Sequence, residues 1–420
     1  MKSSKQRKFI CNKMRLNLFK HLATIVIIFL VMPASAQLPP AFSSEEVSAV
    51  RSSSLTRKFL TPKRIVWTSD STGKQIKNKE NILNPGIGQA NLNQGEYLTL
   101  ISSEKGDNPG IILDFGKEIQ GGLEIVTTIN NSKPAGRVRL RFGESVAETM
   151  SDIGEKSASN DHAMRDFEVT LPWLGSIEVG QTGFRFVRID LVDPNTKLEI
   201  KEVNAAFAYR DIPYLGSFES SDQRLNEIWM TGAYTVHLNM QNYLWDGIKR
   251  DRLVWVGDLH PEVMTVNTVF GHNEVVPKSL DLARDLTPLP RWMNGISSYS
   301  MWWILLHHEW YYYHGDLEYL KEQEDYLSEL LQHLASKIDS SGKEVLDGNR
   351  FLDWPTSENP EAIHAGLQAM MLMTFKAGKE LSKILNDRDT ELLCINAIEK
   401  LKDHVPDMGE SKQAAALLAM

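Results

Sequence analysis

Three aspartates fall close together in the stretch WDGIKRDRLVWVGD, residues 245 to 258: Asp246, Asp251 and Asp258. Gly247 and Gly257 lie near its ends, and Lys249, Arg250 and Arg252 lie between the acids. Folded as a loop, the stretch can turn all three carboxylates toward one centre. Such a cluster has two chemical uses. Metal binding wants several oxygen ligands at short spacing, and the alternate-position pattern of a calcium loop is absent here. General acid work on a sugar bond wants one carboxylic acid kept protonated near neutrality, while others stay ionised to hold hydroxyl groups. Leu253, Val254, Trp255 and Val256 offer an apolar wall that raises one pKa by desolvation. Lys249, Arg250 and Arg252 offer charge that keeps the other carboxylates ionised. The plainer alternative is a set of surface salt bridges on a polar loop.

The elements that must position this loop change character along the chain. From about residue 64 to 210 the apolar residues come in short runs: GIILDFG, GGLEIVTTI, GRVRLRFGE, DFEVTLPWL, FRFVRIDLV and EVNAAFAYR. Val138, Leu140 and Phe142 alternate with Arg137, Arg139 and Arg141, the period-two signature of a half-buried strand whose arginines face solvent. Short strands with glycine-rich turns predict a β-sandwich of jelly-roll type over residues 37–215. Past residue 216 the period becomes helical. Ser220, Ser221 and Asp222 are placed to cap a helix carrying Leu225, Ile228 and Trp229 on one face. Further helices are expected near 261–271, 275–286, 298–314, 317–338, 361–386, 389–404 and 411–420. Short links between them predict antiparallel hairpins. The absence of a sequence repeat favours a closed ring of hairpins over an open solenoid. The aspartate stretch is then the loop between the first and second helices.

The start of the chain reads as a leader. Scattered basic residues precede the short apolar run LATIVIIFLVMP, and Ala34, Ser35 and Ala36 precede Gln37. This pattern predicts a signal peptide over residues 1–36 and export to a periplasm or beyond, without a stable membrane anchor after cleavage. Cys11 leaves with the leader and Cys394 remains, so no internal disulfide is expected. The net charge of −8 and the lack of a basic stripe argue against nucleic-acid binding.

Asp246, then Arg250-Asp251-Arg252, then Gly257-Asp258 resembles in order and spacing the loop of the α-L-rhamnosidases, glycoside hydrolase family 78. ILDFGKEIQGGLEI, RLRFGE, GFRFVRI, GSFESSDQRLNEIW, YYYHGDLEYL and FLDWP extend the likeness over most of the chain after the leader. The resemblance implies an (α/α)6 barrel preceded by β-sandwich modules, and hydrolysis of terminal α-L-rhamnosides with inversion. It implies no cofactor. Carried over by position, Asp251 falls on the general acid, and Asp246 and Asp258 on carboxylates that hold sugar hydroxyls. Arg250 and Trp255 belong to the same loop. Trp354 matches a tryptophan that lines the pocket, with Asp353 beside it to orient the turn; packing in the core is the other reading of Trp354.

Three departures accompany the likeness. The family usually has glutamate where Asp251 stands, so the acid is one methylene shorter. A Trp-Asp pair common in the family near SSYSMWW is replaced, and Tyr299, Trp302 or Trp303 is expected to line that wall. The expected helices are also fewer than six hairpins require, so the barrel reads as incomplete at its C-terminal part, without the family's late general base. Glu262, Glu358 and Glu361 are the substitutes nearest in sequence. If the chain stops short, a carbohydrate-binding remnant without turnover is the alternative to an active enzyme. His307, His308, Glu309 and His314 in HHEWYYYH miss the His-Glu-x-x-His zinc pattern, because position 312 is tyrosine.

Overall fold

The computed structural model describes residues 54–420, apart from 94, 106, 132 and 156–164. The expected leader at 1–36 and the start of the β region lie outside the described residues. The β half comprises β1 (Leu55–Leu60), β2 (Arg64–Thr68), β3 (Ile76–Lys77), β4 (Leu98–Ile101), β5 (Gly110–Thr127) and β6 (Gly136–Gly143). A short helix α1 (Val146–Met150) follows, then β7 (Asp166–Leu171), β8 (Gly175–Leu191) and β9 (Lys197–Arg210). The strands are hydrogen-bonded into one antiparallel network in the order β3-β4-β9-β5-β8-β6-β7, with β1 added to β9 and β2 to β5. GIILDFG and GGLEIVTTI, read as separate strands, are two ends of the single long β5. Register shifts after Asp114 and Gly121 accommodate its bends.

Alternation on β6 behaves as expected on one face: Val138, Leu140 and Phe142 are fully buried. On the other face Arg137 is exposed as expected, but Arg139 is half-buried and Arg141 buried. Arg141 is buried and ion-paired to Asp152 at 3.4 Å, and Arg139 reaches Asp166 at 2.6 Å and Asp152 at 2.8 Å. Arg165, also buried, donates to the carbonyls of Glu148 and Ser151. The segment around α1 therefore covers this face, and burial there is possible because each cation has acidic or carbonyl partners.

The helical half comprises α2 (Gln223–Asn239), α3 (Leu259–Thr265) running into a π turn at Val266–Phe270, α4 (Val275–Asp285) and α5 (Ser297–His314). It continues with α6 (Leu317–Glu322), α7 (Glu324–Ala335), α8 (Pro360–Leu385), α9 (Arg388–Leu401) and α10 (Lys412–Ala419). Asp222 caps α2 by accepting from the Arg224 N–H at 2.9 Å. Of Leu225, Ile228 and Trp229, Leu225 and Ile228 are exposed and Trp229 packs half-buried against the helical core; the buried residues of α2 are Ala233, Val236, His237, Leu238 and Asn239. Helix α8 is buried along most of its length and packs against α5, α7, α9 and α10. Asn386 and Asp387 make the tight link from α8 to α9, and Asp387 caps α9 through the Thr390 N–H.

The two halves share their interiors. Leu238 from α2 and Ile248 from the following loop are buried in the same cluster as Leu113, Phe184 and Phe207 of the sheet. At the end of β9, buried Arg210 donates to the carbonyls of Met240 and Gln241 and pairs with Glu274. The loop that follows α2 is consequently held by both halves.

Candidate active site

The loop from Met240 to Asp258 is tied at its waist. Asp246 donates its N–H to the Leu253 carbonyl at 3.0 Å, and its carboxylate accepts from the Leu253 N–H at 2.9 Å. Between these ties the backbone turns through two successive left-handed residues, Asp251 (φ +49°) and Arg252 (φ +57°). Non-glycine residues in this region cost on the order of 1 kcal/mol each, so surrounding contacts must hold them. The turn brings Asp251 within electrostatic reach of both other carboxylates. Burial raises the Asp246 pKa, with Asp251 and Asp258 adding to the shift. Asp258 reaches solvent by surface area but lies among dense protein; that crowding raises its pKa, and Asp251 raises it further.

One basic neighbour pairs within the loop: Arg250 Nε lies 3.4 Å from Asp251 Oδ1. Lys249 and Arg252 do not play the expected part of keeping the loop carboxylates charged. They turn instead to the sheet, Lys249 to Glu148 and Arg252 to the Gln181 carbonyl. The apolar wall is also divided, with Val256 fully buried, Val254 and Trp255 half-buried and Leu253 exposed.

Beneath the loop, Glu262 lies four residues beyond Asp258 and is buried on α3. Its Oε1 accepts from Asn239 Nδ2 at 2.7 Å, while Oε2 is buried without a hydrogen-bond partner. Burial pushes its pKa up to about 8, and Asp258 and Asp246 contribute in the same direction. Glu262 is therefore neutral at pH 7.

Aromatic rings line one side. The Trp255 ring meets Tyr299 edge-on at 6.2 Å, Tyr299 meets Phe351 at 6.5 Å, and Phe351 meets Trp354 at 5.2 Å. The Tyr299 hydroxyl is pushed up to about 12 by burial and then by Asp258 and Asp246. Gly257 makes this packing possible: a Cβ there would lie 2.2 Å from the Tyr299 ring. Trp354 is 81% exposed, which excludes the core-packing reading. Asp353 accepts from the Thr356 N–H at 2.8 Å and so fixes the turn that presents Trp354.

Trp303 is a correction. It is fully buried, its indole N–H donates to the Leu280 carbonyl, and its ring packs on His307. Tyr299, one turn earlier on nearly the same face of α5, is the residue that meets Trp255 of the loop, and Trp303 lies a turn further along the helix. His307 is likewise a core residue, hydrogen-bonded to the Trp303 carbonyl and the Tyr319 hydroxyl. Among the described residues no group of His, Cys, Asp or Glu side chains could hold a metal ion. No described helix is long and apolar enough to cross a membrane.

Asn294 was missed by sequence reasoning. Its amide accepts from the Val256 N–H and donates to the Val254 carbonyl, both at 3.1 Å, pinning the second half of the loop. Its own φ of +52° is a conformation asparagine tolerates, a weak signal at best. A cleft of about 570 Å³ opens beside this segment, lined by Leu253, Val254, Leu286, Arg291 and Trp292, but none of the three aspartates lines it.

Residues 213–402 match the family model for the bacterial alpha-L-rhamnosidase 6 hairpin glycosidase domain. That stretch is thus similar to the six-hairpin glycosidase domain of the bacterial α-L-rhamnosidases. Solved rhamnosidase structures share its fold. The GH78 family rhamnosidase of Bacillus sp. GL1 superposes with a TM-score of 0.63 at 21% identity, over 77% of this chain and 33% of that one. A rhamnosidase from Klebsiella oxytoca with rhamnose bound gives 0.61 at 18% identity, over 85% of this chain and 70% of that one. The α-L-rhamnosidase from Dictyoglomus thermophilum gives 0.55 at 18% identity, over 72% and 36%. This chain thus spans about a third of the Bacillus rhamnosidase's length. None of the curated proteins compared matches it.

Proposed function

We propose that this chain is an exported α-L-rhamnosidase-like hydrolase that removes terminal α-L-rhamnosyl residues from glycans or glycosides with inversion. Asp251 is the general acid that protonates the leaving oxygen, and Arg250 steadies it. Asp246 and Asp258 hold sugar hydroxyls, while Trp255 and Trp354, the latter oriented by Asp353, shape the pocket. The carrying observation is the electrostatic coupling of the three aspartates in one tied loop of a glycosidase domain. Rhamnose offers a methyl group and an apolar ring face, which suit the aromatic side of the recess. The rhamnose held by the Klebsiella protein supports that choice of sugar. The left-handed turn at Asp251 compensates for an acid one methylene shorter than the family's usual glutamate.

In this reading the sheet is the jelly-roll-like module, a view supported by the switch of β5 from β2 to β9 along its length. Helices α2 to α10 are hairpins of an (α/α)6 barrel. The leader pattern supports a periplasmic or extracellular site of action, with carbohydrate as the partner.

A second reading, binding without turnover, is favoured by Glu262. Inversion needs a carboxylate about 6.5–9.5 Å from the acid to activate water. Glu262 holds its proton at neutral pH and cannot do this, and Glu358 and Glu361 are exposed. Calorimetry with L-rhamnose, run beside an aryl α-L-rhamnoside assay, separates the readings. Binding with turnover supports the hydrolase, binding alone supports the second reading, and neither would overturn both.

A further inference from the structure

Lys249 stands in the middle of the aspartate loop yet serves none of its acids. Lys249 is 5% exposed, and its ammonium lies 2.5 Å from Glu148 Oε1 on α1. The other oxygen of Glu148 accepts the Glu144 N–H at 2.8 Å, and the Glu148 N–H is capped by Ser145. Glu118, from the bend of β5, completes the lining. Its Oε1 is buried without a hydrogen-bond partner, and its pKa is raised, first by burial and then by Glu144, with Lys249 opposing. Arg185 of β8 also acts on Glu118. The ammonium thus pairs with Glu148 and lies within electrostatic reach of Glu118.

The residues flanking Lys249 dock on the same sheet. Ile248 is buried in the sheet core over Gly183, where a Cβ would come within 2.6 Å of it. The Gln120 amide donates to the Ile248 carbonyl at 3.0 Å in its satisfied orientation. Arg252 Nη1 donates to the Gln181 carbonyl at 2.5 Å. Loop residues 248–252 are therefore held by β5, β8 and α1, and Asp251 lies inside that clamped segment.

We propose that Lys249 is a positioning residue: its buried ammonium is held by Glu148 beside Glu118 at the sheet, and thereby sets the place of Asp251. The sheet is on this account a working part of the site and not a separate module. The inference rests on the rhamnosidase reading for its catalytic consequence, but the anchoring itself is independent of turnover.

The test combines hydrogen exchange of peptides covering 245–256 with aryl α-L-rhamnoside kinetics, in wild type, Lys249→Met, Lys249→Arg and Glu148→Gln. Lys249→Met and Glu148→Gln are expected to speed exchange in the loop about tenfold or more, leaving α5 and α8 unchanged. The same variants are expected to lower kcat about a hundredfold with KM nearly constant, because a displaced acid fails in the transition state and not in binding. Lys249→Arg restores part of both. Loop exchange as slow in Lys249→Met as in wild type, or exchange raised equally throughout the protein, would overturn the proposal. A wild-type chain without turnover sinks the rhamnosidase reading instead, and loop exchange alone then decides the anchoring.

Discussion

Glu262 lies one helical turn beyond Asp258, and the deeper of the two carboxyls is the one that keeps its proton at neutral pH. The outer group meets solvent, while the inner has a single amide partner and an unsatisfied oxygen. Two acids of similar intrinsic strength are thereby separated by depth.

This arrangement makes stability fall as pH rises. The folded-state pKa of Glu262 is about 8, above its unfolded value of 4.5, so between these values the folded chain binds more protons than the unfolded one. Stability is unaffected below the unfolded value and then declines by up to roughly 1.4 kcal/mol per pH unit until the folded pKa is passed. Glu262→Gln keeps the neutral shape and removes the titration. Scanning calorimetry from pH 5 to 8 should show a flatter decline in the thermal midpoint for the variant; parallel declines would refute the assignment.

Gly257 leaves no room for a side chain against the Tyr299 ring. Gly257→Ala would force the tyrosine ring off its seat, at about 1–3 kcal/mol for an overpacked site. Chemical denaturation should report that loss, with reduced turnover from the displaced wall. An alanine variant as stable and active as wild type would mean the ring has room to move.

The two tryptophans named for the sugar wall should separate cleanly. Trp303→Ala empties a buried position and is expected to cost about 3–5 kcal/mol. Trp354→Ala at an exposed position should change stability by no more than about 0.5 kcal/mol. Its effect should appear as weaker carbohydrate affinity in calorimetry. Unchanged affinity would remove Trp354 from the pocket.

The switch from strand to helical period, the Asp222 cap and most helix limits were legible because they depend on local spacing. The clustering of Asp246, Asp251 and Asp258 was legible for the same reason: a short loop limits how far its residues can separate. The partners of the loop's cations were not. Lys249 and Arg252 lie next to acids in sequence, but the folded chain offers them Glu148 and the Gln181 carbonyl across the junction of the two halves. Trp303 and Tyr299 share nearly one face of one helix, and only the packing of α5 decides which turn of it lies beside the loop. Arg139 and Arg141 of β6 looked solvated like Arg137 because the acids that satisfy them, Asp152, Asp166 and Asp190, come from other elements.

The most direct measurement is the rate of aryl α-L-rhamnoside hydrolysis by the purified chain and its Asp251→Asn variant, with rhamnose affinity measured on both. The account predicts turnover in the wild type and a loss of at least about a hundredfold in the variant, with rhamnose still bound. Equal rates in the two proteins would contradict it.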